Sequence, residues 1–426
     1  MLVLLLGCAR AIEPSDAGSD ASTDAGADAA SPDAGPACAS GHTVAYAQAL
    51  ADTGVLSVNA IAANAIDGTF VIGGDLTILG LHGARLTWRD EPPAPGLVRT
   101  YDAASLLDLA VDVHGNLTIG GVFHTPATIE RVPVAEPGVA STVPLGFVAR
   151  VVMGVAPTVT TLGRNATSVS VARHGDGYVA AGDGSITIGT DHCDAASGTY
   201  VAAFALEGTL EWLRCITSDG ALGIEDISTH DAGDTYVVGD LAAGATLSVD
   251  GVALGLAATS SSAWVLRLGG SGSTWWARGL PGVRARSVAV AGSRVVLVGS
   301  EIVVLDLLDG SERGRVAIEG PNGEAGDVAI DRCGTAWVTA WRDPLGDLQG
   351  NGVLMHVDPM ALTSETVLDV PSLWPRAVAV SIDGTRVGVA GHYRGTPTVG
   401  ATTLPPSPSL PQPPSDELAA FVLGLR

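Results

Sequence analysis

Residues 223–240 read GIEDISTHDAGDTYVVGD. One short apolar–polar alternation runs into a turn made of Asp, Ala and Gly, and a second alternation closes on Gly239. A period of two on both sides of Gly/Asp turn chemistry is the pattern of two antiparallel strands. The phrase returns along the chain as NAIAANAIDGTFVIGG (59–74), DLAVDVHGNLTIGG (108–121), SVSVARHGDGYVAAG (168–182), SVAVAGSRVVLVG (287–299), DVAIDRCGTAWVTA (327–340) and AVAVSIDGTRVGVAG (377–391). A unit repeated at this spacing marks a propeller, a solenoid or an array.

The segments between the phrases decide among these. After 223–240 come SAWVLRLG (262–269) and STWWARGL (273–280), and after the third phrase come GTYVAAFAL (198–206) and TLEWLRCI (209–216). The second unit supplies GFVARV (146–151) at the same place. Each unit therefore reads as four short strands, A to D from centre to rim, with a tryptophan in the outermost one (Trp212 and Trp275/Trp276) followed by Arg or Cys. This predicts an all-β fold, a β-propeller of four-stranded blades. The last unit starts at Arg376, passes through TTLPPSPSLPQPPSDE (402–417) and ends on LAAFVLGLR (418–426), a C strand with no D strand after it. TVAYAQAL (43–50) can fill that place, which closes the ring and removes two open edges. Seven units and this closure predict seven blades. The short fifth and sixth units leave six or eight as alternatives.

The front of the chain reads as an address. MLVLLLGC contains Leu5-Leu6-Gly7-Cys8, which resembles a bacterial lipobox with Cys8 as the lipidated residue, although the apolar run is short and no positive segment precedes it. Residues 9–37 are Ala, Asp, Ser, Gly and Pro with almost no branched apolar residue, too little surface to offset chain entropy, so they are expected to form a disordered tether. The division expected is 1–8 signal, 9–37 tether and 38–426 propeller. Attachment to a membrane would be through the lipid, and the location would be the cell envelope, at the outer membrane or cell surface.

Net charge is −23, and all 22 basic residues are arginine. Without lysine there is no phosphate-binding lysine of a Walker loop, no Schiff base and no Ser–Lys dyad. An acidic chain also argues against a nucleic-acid partner, which needs basic patches. Apart from Cys8 there are four cysteines. In an exported chain an even number suggests disulfides. Placed on the blades, Cys193 (between B and C of the third unit) and Cys215 (at the end of its D strand) share one face. Cys38 and Cys333 share the other, so the expected pairs are Cys193–Cys215 and Cys38–Cys333.

The phrases DLAVDVHGNLTIGG, GFVARV, AAFVLGL and WWAR resemble the bacterial SBBP-type β-propeller repeat proteins over most of 43–426. The resemblance implies a propeller and, for many members, a surface lipoprotein on an Asp/Ala-rich tether. It brings no active site with it. The departures are a poorly formed fifth unit and Arg where Lys is usual.

Candidate chemistry is sparse. Asp67, Asp112, Asp176, Asp234, Asp331 and Asp383 sit in the A–B turns, but no alternating run of oxygen ligands makes a calcium loop, and Asp in such turns normally bonds its own backbone. The acid pairs Glu207/Glu211 and Glu225/Asp226 are expected at the solvated rim. EIVVLDLLDGSERGRVAI (301–318) resembles a strand–turn–strand of quinone-binding propellers but occurs once. No nucleophile elbow, metal cluster or cofactor motif is present, so no catalytic residue, metal or cofactor is expected. The sequence therefore reads as a non-enzymatic envelope lipoprotein whose propeller is a scaffold for a protein or glycan partner, with residues 82–100, 241–261 and 402–417 as binding loops. The alternatives are a structural element of an envelope assembly and an exported polysaccharide hydrolase or lyase with acids in the central channel.

Overall fold

The structure is a computed structural model. It describes residues 42–50, 58–64, 69–74, 84–88, 99–100, 102–129, 132–134, 144–152, 155–164, 166–175, 177–194, 198–230, 233–257, 262–318, 323–342, 350–381, 384–407 and 419–426. Met1–Ala37 and Cys38–Arg426 are separate units. Cys8, the tether, Cys38, Asp67, Asp176 and Asp383 lie outside the described residues.

Among the described residues, seven antiparallel sheets contain four or more strands. Blade 1 consists of Ala60–Ala63, Phe70–Gly74, Ala84–Trp88 and Arg99–Thr100. Blade 2 consists of Asp102–Val111, Leu117–Ile129, Leu145–Val151 and Thr158–Arg164. Blade 3 runs through Val169–His174, Gly177–Asp183, Gly198–Phe204 and Leu210–Ser218. Blade 4 runs through Leu222–Thr229, Thr235–Leu241, Ser262–Leu268 and Thr274–Pro281. Blade 5 is Ala285–Ala291, Arg294–Gly299, Ile302–Asp306 and Glu312–Val316, and blade 6 is Glu324–Ile330, Ala336–Arg342, Asn351–Asp358 and Thr363–Pro371. Blade 7 takes strands A to C from Leu373–Val380, Val387–Tyr393 and Ala419–Leu425, and its D strand from Val44–Ala49 at the other end of the chain. That closing strand is antiparallel to the last one, with Val44 opposite Leu425 and Ala49 opposite Phe421.

Among the described residues the core forms seven apolar clusters, each lying between two neighbouring blades, including one between blades 7 and 1. A sheet buried on both faces must be apolar on both. The C strands Leu145–Val151, Gly198–Phe204, Ser262–Leu268 and Ala419–Leu425 are buried at every position, whereas the outer strand Thr363–Pro371 is mostly exposed.

Three expectations need correction. The fifth blade is regular rather than poorly formed: its B–C and C–D connections are simply short, and 301–318 is its C–D hairpin. Residues 82–100 are not one continuous insert: Ala84–Trp88 and Arg99–Thr100 are strands C and D of blade 1, and 82–83 and 89–98 lie outside the described residues. Part of 241–261 folds as the hairpin Thr246–Val249/Val252–Ala257, which extends the outer edge of blade 3 through pairing with Leu210–Ser218. Of 402–417, Thr402–Thr403 pairs with Thr398–Val399, and 408–418 lies outside the described residues.

Cys193 and Cys215 are bonded, with Cα atoms 5.5 Å apart, and tie the small hairpin Ile186–Ile188/Asp191–Cys193 to the D strand of blade 3. Cys333 is also disulfide-bonded. Its expected partner, Cys38, is outside the described residues.

Candidate functional site at the channel mouth

The two halves of the repeat meet through an Asp–Arg pair in blades 2 and 4. Asp112 accepts hydrogen bonds from the amides of His114 and Asn116, each at 2.8 Å, which closes its own A–B turn. Its other oxygen accepts from Arg150, the arginine of GFVARV, at 2.6 Å. Burial alone would raise the Asp112 carboxyl. The bonds from Asn116 and Arg150 outweigh it and hold the carboxyl below its usual range. Asp331 builds the same turn by accepting from the amides of Cys333 and Thr335. In blade 4 the arginine is Arg267, bound to Asp234 and also donating to the Leu307 carbonyl of blade 5. Turn carboxylates used in this way are structural.

The outer strands clasp the next blade. Trp212 donates from Nε1 to the Gly270 carbonyl, and Arg214 donates to Gly272 and Ser271. Trp276 donates to Leu307, and Arg278 donates to Asp309. The spacing is therefore Trp-x-Arg, with Trp276 rather than Trp275 as the equivalent of Trp212. Trp275 is exposed and stacks under Arg267, whose guanidinium lies 4.4 Å from the ring centre.

The innermost strands hold the site. In blades 2, 4, 5, 6 and 7 the A–B pairing slips by one residue, inserting Leu107, Glu225, Arg286, Gly326 and Arg376 respectively. Such a bulge re-aims one side chain. These five, with Asn59 and Thr167, line a cavity of ≈260 Å³ at one end of the channel, on the face carrying the B–C connections. Arg286 bridges Glu225 at 3.3 Å and Glu324 at 3.0 Å, while Arg376 is exposed.

Directly behind four of the five bulges sits a polar residue, Asp108, Asp226, Ser287 or Asp327, which with Ser170 of the unbulged third blade forms a belt tying one blade to the next; behind the bulge of blade 7 stands Ala377. Asp108 accepts from its neighbour Leu109 N at 2.7 Å and from Val171 N of blade 3 at 2.8 Å. Asp226 accepts from Ile227 N at 2.7 Å and from Val288 N of blade 5 at 2.9 Å. Asp327 accepts from Val328 N and from Val378 N of blade 7, each at 2.8 Å. Ser170 and Ser287 stand between the acids. The pair Glu225/Asp226 thus lies in the channel and not at the rim, where it was expected; Glu207 and Glu211 are on the C–D turn and D strand of blade 3. A bulge is invisible to period-two reading, which is why the mouth residues carried no signal. The belt did carry one, a polar residue before a branched or leucine residue at the head of the phrase.

At the end of strand B a second inter-blade bond recurs. Asp183 accepts from Ile224 N and Asp240 from Ala285 N, both weakly, at 3.4 and 3.3 Å. In blade 7 the position is His392, whose Nε2 accepts from Val58 N at 3.3 Å, across the junction that closes the ring. Burial, and then the charge of Arg376, lowers this histidine to about 4. The unfolded chain takes up a proton near 6.5, so the contribution is complete above that value and is lost as pH falls from about 6.5 to about 4. Acid melting curves of His392→Gln, which keeps an acceptor, are expected to lack a loss of about 3 kcal/mol seen in the wild type.

Among the described residues, no group of three or more His, Cys, Asp or Glu side chains is arranged to hold a metal ion, and no helix is long and apolar enough to cross a membrane. No family model and no curated protein matches the chain. Among solved structures, it is similar to a chain of the crystal structure of the mitotic checkpoint complex, with TM-score 0.51 and 9% identity over 89% of this chain and 93% of that one. It is also similar to a putative 6-phosphogluconolactonase from Bacteroides uniformis ATCC 8492, with TM-score 0.45 and 12% identity over 79% and 94%. The first likeness is one of propeller fold alone.

Proposed function

We propose that the chain is an exported, non-enzymatic propeller of the SBBP kind, anchored at the cell envelope through a lipid on Cys8, and that it binds a glycan or protein partner at the channel mouth. The observation that carries the binding reading is the set of inner-strand bulges. Five of the seven blades break their ladder at the same height, and three of these breaks aim Glu225, Arg286 and Arg376 at one cavity. A mixed ring of carboxylate, guanidinium, Asn59 and Thr167 offers donors and acceptors suited to hydroxyl-rich or polar ligands. The same geometry speaks against hydrolysis, because the channel acids Asp108, Asp226 and Asp327 each have both oxygens engaged by backbone amides of two blades.

The test is retention of the full chain on immobilised envelope polysaccharides and envelope proteins, with released products assayed in parallel. Replacing Glu225, Arg286 and Arg376 together by alanine is expected to weaken retention at least about tenfold while the fold survives. Equal retention by the triple variant would rule out the mouth as the binding site. Product release abolished by Asp226→Asn would favour the hydrolase reading instead.

A further inference from the structure

The belt of acids and serines contains more short oxygen contacts than its hydroxyl protons can fill. Ser170 Oγ lies 2.7 Å from Asp108 Oδ2 and 3.0 Å from Asp226 Oδ1. Ser287 Oγ lies 2.7 Å from Asp226 Oδ2 and 2.8 Å from Asp327 Oδ1. That makes four oxygen–oxygen contacts joined into one line, Asp108–Ser170–Asp226–Ser287–Asp327, and each serine owns a single proton. The backbone amides around the belt donate to the carboxylates, with Ile227 N also reaching Ser170 Oγ at 3.3 Å; none lies between a serine oxygen and a carboxylate oxygen, so they cannot supply the missing protons. With all three acids ionised, two of the four contacts would set a hydroxyl lone pair against a carboxylate. One carboxyl proton on Asp226 turns a third contact into a hydrogen bond.

We propose that the folded ring keeps a proton shared along this line, and that its departure loosens the inner junctions joining blades 2 to 6. The groups facing Asp226 agree with this. Asp108 and Asp327 approach it from blades 2 and 6, and Glu225, Glu324, Asp183 and Asp240 add negative charge near the mouth. The nearby cations are Arg286, taken up by Glu225 and Glu324, and the exposed Arg376. Burial first, and then the charges of Asp108 and Asp327, push Asp226 up to about 8; burial likewise raises Asp108, and raises Asp327 to about 6. The three titrate as one group. Their folded values lie above the ordinary aspartate value, so the folded state holds the proton where the unfolded chain has lost it. The stabilisation is complete below the ordinary aspartate range and is lost as pH rises towards about 8.

Two readouts test this on the full chain. In the infrared, the wild type near pH 6.5 is expected to show the carbonyl band of a neutral carboxylic acid, which disappears reversibly by about pH 9 and on unfolding in denaturant at about pH 6.5. In melting curves, the wild type is expected to lose several degrees between about pH 6 and pH 9, and Asp226→Asn to lose most of that slope whatever its absolute melting temperature. Absence of the band from the wild type near pH 6.5 would overturn the proposal even if the Asn variant failed to fold. So would an Asn variant with the wild-type slope.

Discussion

Gly239→Ala is expected to destabilise the protein by about 3 kcal/mol, at or above the upper end of the usual cost of forcing an extra carbon into a filled site. A Cβ on Gly239 would stand 1.9 Å from the Gly223 carbonyl oxygen. The same holds wherever a repeat phrase closes on glycine opposite a bulge: Gly121 against Ser105, Gly299 against Arg284 and Gly391 against Trp374, at 1.8 to 2.2 Å. The unbulged third blade leaves 2.7 Å at Gly182, and the first leaves no backbone atom in the way at Gly73. The terminal glycine of the repeat is therefore the partner of the bulge, and the bulge aims a side chain at the mouth. Blade 6 is the exception, with Ala340 opposite its bulge. Ala340→Gly is expected to cost only about 0.5–1 kcal/mol, through backbone entropy. Chemical denaturation of the pair measures both; a Gly239→Ala cost as small as that of Ala340→Gly would mean the close approach is not needed.

Arg267→Ala is expected to cost about 3–5 kcal/mol, the range for breaking a buried ion pair by removing one partner. Arg267 is 4% exposed and Asp234 is 7% exposed, so the orphaned carboxylate would have little water to turn to. The arginine also donates to Leu307 and lies over Trp275 and Tyr236, so its loss opens the junction of blades 4 and 5. Replacing both charges, as Asp234→Asn with Arg267→Met, is expected to recover most of the loss. A double-mutant cycle by denaturant melting reads this directly. Additive single losses would show that the pair is not coupled. The equivalent change in blade 2, Arg150→Ala, is expected to cost less, because Asp112 keeps its bonds from His114, Asn116 and the Asn116 side chain.

The A and B strands were legible because period-two alternation and Gly/Asp turns are local signals, and the closing role of 43–50 came from a missing D strand. The Cys193–Cys215 bond came from the same topology. Strands C and D of blade 1 were not legible, since ARLTW and RT are too short to show a period within a Pro- and Gly-rich stretch. The hairpin of 246–257 was hidden because its pairing partner, Leu210–Ser218, belongs to another blade. As two acids in an acidic chain, Glu225 and Asp226 read as rim residues. The extra residue of a bulge, which sends Glu225 to the mouth and Asp226 to the belt, has no counterpart in a strict alternation.

The proposed envelope-anchored scaffold predicts a lipid on Cys8. Labelling with a lipid precursor, combined with protease accessibility on intact cells, tests this for wild type and Cys8→Ser expressed from the natural upstream region. The expected outcome is a labelled, protease-accessible wild type and an unlabelled Cys8→Ser protein released from the membrane fraction. A wild type without label, or a label that survives Cys8→Ser, would contradict the anchored scaffold.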